Sequence, residues 1–117
     1  MNEACHTLSA LFPHQKKIVI LGTSREKNLA HILKPLLPIS AYLIATKSNN
    51  PRAQEPKVIL ETINQMGYNK PTFWASNLKE ALQIVSRIHR IQSVAFITGS
   101  LFLVGEGREL LKCPKLI

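Results

Sequence analysis

Short runs of unbroken apolar residues alternate along the chain with stretches in which apolar residues recur every three or four positions. The first run, Lys17-Ile-Val-Ile-Leu-Gly22, is β-branched and stops at a glycine. It offers no polar face to water, so it predicts a strand buried on both sides. From Asn28 to Leu37 the apolar residues Leu29, Ile32, Leu33, Leu36 and Leu37 form a helical stripe, ended by Pro38. Ser40 to Thr46 reads as a second strand, and Ser48-Asn-Asn-Pro-Arg52 is turn chemistry. Glu55 to Met66 places Val58, Ile59, Thr62, Ile63 and Met66 on one helical face, with Gly67 as its stop. Thr72-Phe-Trp-Ala75 predicts a short third strand, with Trp74 in the core. Asn77 is an N-cap for a helix through Leu78, Ala81, Leu82, Val85 and Ile88. Ser93 to Thr98 predicts a fourth strand, ending at Gly99. Leu101 to Leu111 predicts a closing helix and Ala4 to Phe12 an opening one.

Strand and helix in regular alternation predict βαβ units. The expected fold class is therefore α/β, with a parallel sheet covered on both faces. No internal repeat, low-complexity tract or linker interrupts the pattern, so residues 1–117 read as one domain. At 117 residues and 13.1 kDa such a chain buries roughly two thirds of its unfolded surface and needs no disulfide or metal staple.

Composition narrows the chemistry. All 7 acidic residues are Glu, and no Asp occurs, which excludes Asp-based Mg²⁺ or Ca²⁺ loops, aspartyl dyads and a Ser-His-Asp triad within this chain. Cys5 and Cys113 lie near opposite ends and form neither a CxxC pair nor a zinc spacing; a reduced cytoplasmic protein is the simplest reading. No signal peptide and no apolar stretch of the roughly 18 residues needed for a membrane span is present. The net charge of +8 and pI of 9.9 raise nucleic acid as a partner. However, the bases are dispersed, Lys16-Lys17 being the one adjacent pair, and Lys79, Arg87 and Arg90 fall on the solvent side of a helix. Dispersed charge of this kind solvates a surface, and no nucleic-acid partner is expected.

In an open parallel sheet, ligands bind beyond the carboxyl ends of the strands. The segments there are Gly22-Thr-Ser-Arg-Glu-Lys-Asn28, Thr46-Lys-Ser-Asn-Asn-Pro-Arg52, Ser76-Asn77 and Thr98-Gly-Ser100. Hydroxyls, amides and bases thus converge on one edge, where helix N-termini also favour anions. The chemistry indicated is recognition of a carboxylate or phosphate, with Arg25 and Arg52 as bidentate forks and Lys27 as a point charge. Each Ser or Asn there has a second reading, as a helix cap. No phosphate loop follows: Gly22 precedes Lys27 without the glycine pattern, and Gly99, Gly105 and Gly107 have the wrong spacing for a dinucleotide fingerprint. His6, His14, His31 and His89 are scattered, His31 and His89 reading as surface residues, so no metal site is expected. Cys5 and His6 are adjacent in sequence and do not face each other on a helix, so no catalytic residue is assigned.

Three of these segments resemble a known family. Leu21-Gly-Thr-Ser-Arg-Glu-Lys-Asn28, Asn50-Pro-Arg-Ala53 with Pro56 following, and Thr98-Gly-Ser-Leu-Phe-Leu-Val-Gly-Glu106 are similar, in order and spacing, to the C-terminal domain of folylpolyglutamate synthase / dihydrofolate synthase. This is the folate branch of the Mur ligase superfamily. The resemblance runs from about Leu11 to Leu111, and the Thr98–Glu106 run is its most specific part. The Asn50-Pro51-Arg52 piece also looks like the motif with which amino-acid-adding Mur ligases hold the incoming amino acid.

The resemblance implies a Rossmann-like three-layer domain with a mostly parallel sheet, of the Mur ligase C-terminal type, and an ATP-dependent ligase in the full enzyme. ATP phosphorylates a folate carboxylate, the amine of L-glutamate attacks the acyl phosphate, and an amide forms with release of ADP and phosphate. It implies that the phosphate loop, the Mg²⁺ ligands and most of the folate pocket lie upstream. ATP and Mg²⁺ would then serve the full-length enzyme, with neither bound by this domain alone. Glutamate, ATP and folate would be met together with the upstream domains, and the isolated chain would be inert. Carried over by position, Arg52 grips a carboxylate or phosphate, Ser100 and Thr98 are hydroxyl partners of glutamate, and Asn50 belongs to the same subsite. Ser24, Arg25 and Lys27 form an anion or nucleotide rim. Glu26 and Asn28 stand where the family's Asp-Lys-Asp stretch has its acids, and the family's Asp-Gly-Ala-His-Asn stretch would precede Met1. Rival readings are a stand-alone small-anion or nucleotide-binding module, a basic nucleic-acid-binding protein resting on net charge alone, and a remnant without activity.

Overall fold

A computed structural model of the protein describes residues 16–88 and 93–98. The expected helices at Ala4–Phe12 and Leu101–Leu111 lie outside the described residues. The elements run β1 (Lys16–Leu21), α1 (Leu29–Leu36), a 3₁₀ turn (Leu37–Ile39), β2 (Tyr42–Ala45), α2 (Pro56–Gln65), β3 (Thr72–Trp74), α3 (Leu78–Ile88) and β4 (Ser93–Thr98). Among the described residues the sheet has four strands in the order β3-β2-β1-β4, and every pairing is parallel. This is the α/β doubly wound arrangement that the alternating pattern predicts.

Burial explains the order. Ile18, Val19, Ile20 and Leu21 are all within 1% of complete burial, as a central strand between two neighbours requires. Their side chains alternate between two cores. Val19 and Leu21, with Leu43 and Ala45 of β2, pack on Ile32, Leu33 and Leu36 of α1 and on Ile59 and Ile63 of α2. Ile18 and Ile20, with Ile44 and Ile97, pack on Ala75, just after β3, and on Leu78 and Ala81 at the start of α3. Helices α1 and α2 therefore cover one face and α3 the other. The chain winds outward through β2 and β3, then returns across the opposite face to β4.

The helix ends follow local chemistry. Asn28 caps α1, its Oδ1 accepting from the His31 backbone N–H at 3.1 Å. The helix then tightens into the 3₁₀ turn because Pro38 cannot donate the next bond in the series. Ser40, fully buried, closes the turn by donating its hydroxyl to the Leu36 carbonyl at 2.6 Å, which delays the second strand to Tyr42. Pro56 opens α2 at its first position, where a missing N–H costs nothing. Gly67 follows that helix at φ 82°, a left-handed conformation that glycine adopts without strain. Asn77 caps α3 through the Glu80 N–H at 2.9 Å, and the Glu80 carboxylate reaches back to the Ser76 N–H at 3.4 Å.

One expectation is corrected. Trp74 is 48% exposed and does not belong to the core. It ends an edge strand of three residues, where no further strand covers its ring among the described residues. Instead Lys57 of α2 places its Nζ 5.3 Å from the ring centroid, a cation–π contact.

Two predictions follow from the packing. Leu43 is fully buried, whereas Val58 is 37% exposed. In denaturant unfolding, Leu43→Ala should cost about 2–5 kcal/mol and Val58→Ala within about 1 kcal/mol. Tyr68 donates its hydroxyl to the Ser40 carbonyl at 2.8 Å, and burial pushes its phenol from 10.0 up to about 12. A raised pKa means the fold prefers the neutral phenol. That contribution is complete below pH 10.0 and is lost as pH rises through about 12. Tyr68→Phe should lower stability by about 1 kcal/mol near neutrality, and the gap between the two proteins should close across that alkaline window.

Candidate functional site

Because all strands are parallel, their carboxyl ends share one edge. Between β1 and β4 the chain's winding changes direction, the position at which a doubly wound sheet opens a crevice. There the Gly22 N–H donates to the Thr98 carbonyl at 3.3 Å. Thr23 and Thr98 are both buried at this junction.

The loops that follow β1 and β2 are joined to each other. Ser24 and Ala53 form an isolated antiparallel bridge. On either side of it, the Arg25 N–H donates to the Arg52 carbonyl and the Gln54 N–H to the Thr23 carbonyl, both at 2.8 Å. The Arg25 guanidinium donates to the Pro51 carbonyl. The turn that presents Arg52 is built by its own side chains. Asn50 Oδ1 accepts from the Arg52 N–H at 2.8 Å, and Ser48 Oγ accepts from the Asn50 N–H at 3.2 Å. The Ala53 N–H closes the turn onto the Asn50 carbonyl at 3.0 Å. This is why the sequence carries Asn and Ser here: their short oxygens replace backbone acceptors in a tight turn.

Ser24, Arg25, Asn50 and Arg52 thus meet at one place, with exposed Lys27 on the same loop. The Lys27 N–H folds back to the Ser24 carbonyl at 3.2 Å. Thr98 stands at the adjacent strand end, and Ser100 lies outside the described residues. Arg25 and Arg52 differ in situation. The first is bound to a loop carbonyl. The second is 75% exposed and pairs with Glu26, Nη1 to Oε1, at 3.2 Å.

Sequence reasoning did not assign Glu26 a partner, because residues 26 and 52 become neighbours only through the bridge. It likewise missed the pair of Lys47 with Glu55, at 2.9 Å, which ties the loop to the first turn of α2. Thr46 gives its hydroxyl to the Ala75 carbonyl at 3.1 Å, so it serves the β2–β3 junction. Asn28 and Asn77 act as caps. His31 is exposed on α1. Among the described residues, no three His, Cys, Asp or Glu side chains gather as a metal site would require. No helix there is long and apolar enough to cross a membrane.

The side-chain acceptor of Asn50 is what holds the Arg52 backbone in the turn. Asn50→Ala should therefore cost about 1 kcal/mol. In amide NMR spectra it should move the signals of residues 24–27 as well as 50–53, whereas Asn50→Asp, which keeps the acceptor, should largely preserve them.

This architecture is shared with solved structures. Mycobacterium tuberculosis folylpolyglutamate synthase complexed with ADP and AMPPCP superposes with a TM-score of 0.81 at 22% identity, over 96% of this chain and 27% of that one. The Thermotoga maritima folylpolyglutamate synthase gives 0.78 at 23% identity, over 99% of this chain and 26% of that one. Escherichia coli FolC in complex with DHPP and ADP gives 0.78 at 14% identity, over 95% and 26%. At these identities the likeness is one of fold, and the chain spans about a quarter of the length of each enzyme. No curated protein matches the chain significantly. The family model for the Mur ligase, glutamate ligase domain matches residues 1–101, and the chain belongs to that family.

Proposed function

We propose that this chain is the C-terminal domain of an ATP-dependent folate:L-glutamate amide ligase of the folylpolyglutamate/dihydrofolate synthase type. It closes over a site built mostly by upstream domains and supplies contacts to glutamate and the nucleotide. The observation that carries this reading is the bridged pair of loops at the carboxyl edge of the sheet, in a chain of the Mur ligase family. The bridge fixes the backbone on either side of Arg52, whose side chain is 75% exposed. The similar enzymes were crystallised with ADP, AMPPCP or DHPP, which supports a nucleotide and a folate precursor as ligands of the complete ligase.

In the reaction proposed, ATP transfers its terminal phosphoryl group to a folate carboxylate, and ADP leaves. The glutamate amine attacks the acyl carbon, loses a proton, and the tetrahedral adduct collapses to the amide with release of phosphate. Both the acyl phosphate and the adduct carry negative charge that nearby donors stabilise. Arg52 is proposed to bind and orient a carboxylate of the incoming glutamate. Thr98 and Ser100 are proposed as its hydroxyl partners, with Asn50 and Arg25 holding the turn and Ser24 and Lys27 lining the rim.

The chain offers no Mg²⁺ ligand set and no phosphate loop among its described residues. It has no Asp, the segment after β1 lacks the phosphate-loop glycines, and no acidic cluster forms among the described residues. Activation of the carboxylate is therefore assigned to the upstream domains, and the 1–117 chain is proposed to be inert alone.

The test is ADP release with ATP, L-glutamate and a folate substrate. The isolated chain should release none above background, and release by the chain alone would overturn the reading. Added to a folate ligase that lacks its own C-terminal domain, the chain should restore turnover. Arg52→Ala in that reconstituted enzyme should weaken glutamate by about 1.5–3 kcal/mol, the worth of a hydrogen bond to a charged group, with the loss in KM rather than kcat.

A further inference from the structure

We propose that Glu26 is the resident counter-ion of Arg52, holding its guanidinium until the anionic group of a ligand, carboxylate or phosphate, takes its place. This deepens the reading of Arg52 given above and rests on it.

Four observations carry the exchange. First, the pair is set by backbone. The Ser24–Ala53 bridge and the Arg25–Arg52 hydrogen bond at 2.8 Å bring the two loops together with Arg25 beside Arg52, so that Glu26 lies one residue from that contact. Second, the charges are unequal. Residues 22–28 and 46–54 contain Arg25, Lys27, Lys47 and Arg52, and Glu26 is their single acid. With Lys47 engaged by Glu55 at 2.9 Å, Glu26 offsets the repulsion among the remaining three bases.

Third, the two arginines differ in what holds them. The partner of Arg25 is the Pro51 carbonyl, fixed within the turn, whereas the partner of Arg52 is a side chain that can swing away. Fourth, the ion pair is exposed and single-stranded in geometry. One Nη1 meets one Oε1 at 3.2 Å, with side chains 75% and 62% exposed. Such pairs contribute little and break readily. A ligand carboxylate that engages the guanidinium through both oxygens gains a second parallel hydrogen bond. The exchange therefore favours ligands that present a planar or multi-oxygen anion, and it discriminates against isolated monodentate acceptors. Glu26 is a positioning residue in this scheme, acting through Arg52.

The experiment titrates the 117-residue chain with L-glutamate and, separately, with inorganic phosphate. Binding is followed by the backbone amide signals of residues 24–27 and 50–53. Glu26→Gln should bind about threefold more tightly than the unaltered chain, the size expected for release of an exposed ion pair. Glu61→Gln, an equal charge change on the exposed face of α2, should leave the affinity unaltered. Damage to the loop weakens binding, so tightening is not a structural side effect. The probe that shows it identifies the ligand group as carboxylate or phosphate.

Equal or weaker binding by Glu26→Gln overturns the exchange. Equal tightening by Glu61→Gln overturns it too, by reducing the effect to net charge. Undiminished binding by Arg52→Ala overturns the role of Arg52 itself, and with it the glutamate subsite. No saturable response from any of these proteins overturns the exchange alone, because the closing-domain reading requires both sides of the cleft for tight binding.

Discussion

A strand with no face left for water must be covered twice, and β1 imposes that constraint on the rest of the molecule. Its residues Ile18 to Leu21 are all but completely buried. Val19 and Leu21 require helices on one side, Ile18 and Ile20 a helix on the other. A chain that meets this demand with parallel strands must wind both ways from the centre. The order β3-β2-β1-β4 is the result. The same winding gathers the carboxyl ends of all four strands, and the loops that follow them, on one edge.

Rigidity at that edge comes from backbone rather than charge. The β1–α1 and β2–α2 loops share an antiparallel bridge and two hydrogen bonds of 2.8 Å, and Asn50 and Ser48 supply side-chain acceptors inside the turn. Hydrogen bonds of this kind carry about 1 kcal/mol each, and here several act on two short loops. The Glu26–Arg52 pair, by contrast, lies in water at 62% and 75% exposure and adds at most about 1 kcal/mol. The scaffold therefore stays in place while the ion pair exchanges. A recognition arginine needs this separation: a fixed backbone with a replaceable partner.

Membership of the Mur ligase, glutamate ligase domain family agrees with this division of labour. The chain spans about a quarter of the folylpolyglutamate synthases it superposes on. At the carboxyl edge of its sheet, Ser24, Arg25, Asn50 and Arg52 are brought together by the bridged loops. Trp74, 48% exposed and flanked by Lys57, stands at the same end of the sheet, on the outer strand. Its exposure shows that residue type alone did not place it inside. The strand that carries it is three residues long and has nothing beyond it among the described residues.

The sequence by itself determined the α/β class, the order of elements and most helix boundaries. Those are local matters: apolar periodicity chooses strand or helix, and Asn28, Pro56, Gly67 and Asn77 act on the turns beside them. It also placed Arg25, Arg52, Asn50 and Ser24 on the correct edge, because parallel strands all end there. What it did not contain was the pairing between loops. The bridge from Ser24 to Ala53, the hold of Arg25 on Pro51 and the choice of Glu26 as partner for Arg52 join residues about a whole βαβ unit apart, 26 positions in the two side-chain contacts. Nothing in either loop's own pattern encodes them. They arise only when β1 and β2 pair in register, Leu21 opposite Ala45, and bring the two loop backbones within hydrogen-bonding distance. Tertiary structure alone decided which arginine is held by a backbone carbonyl and which by a side chain.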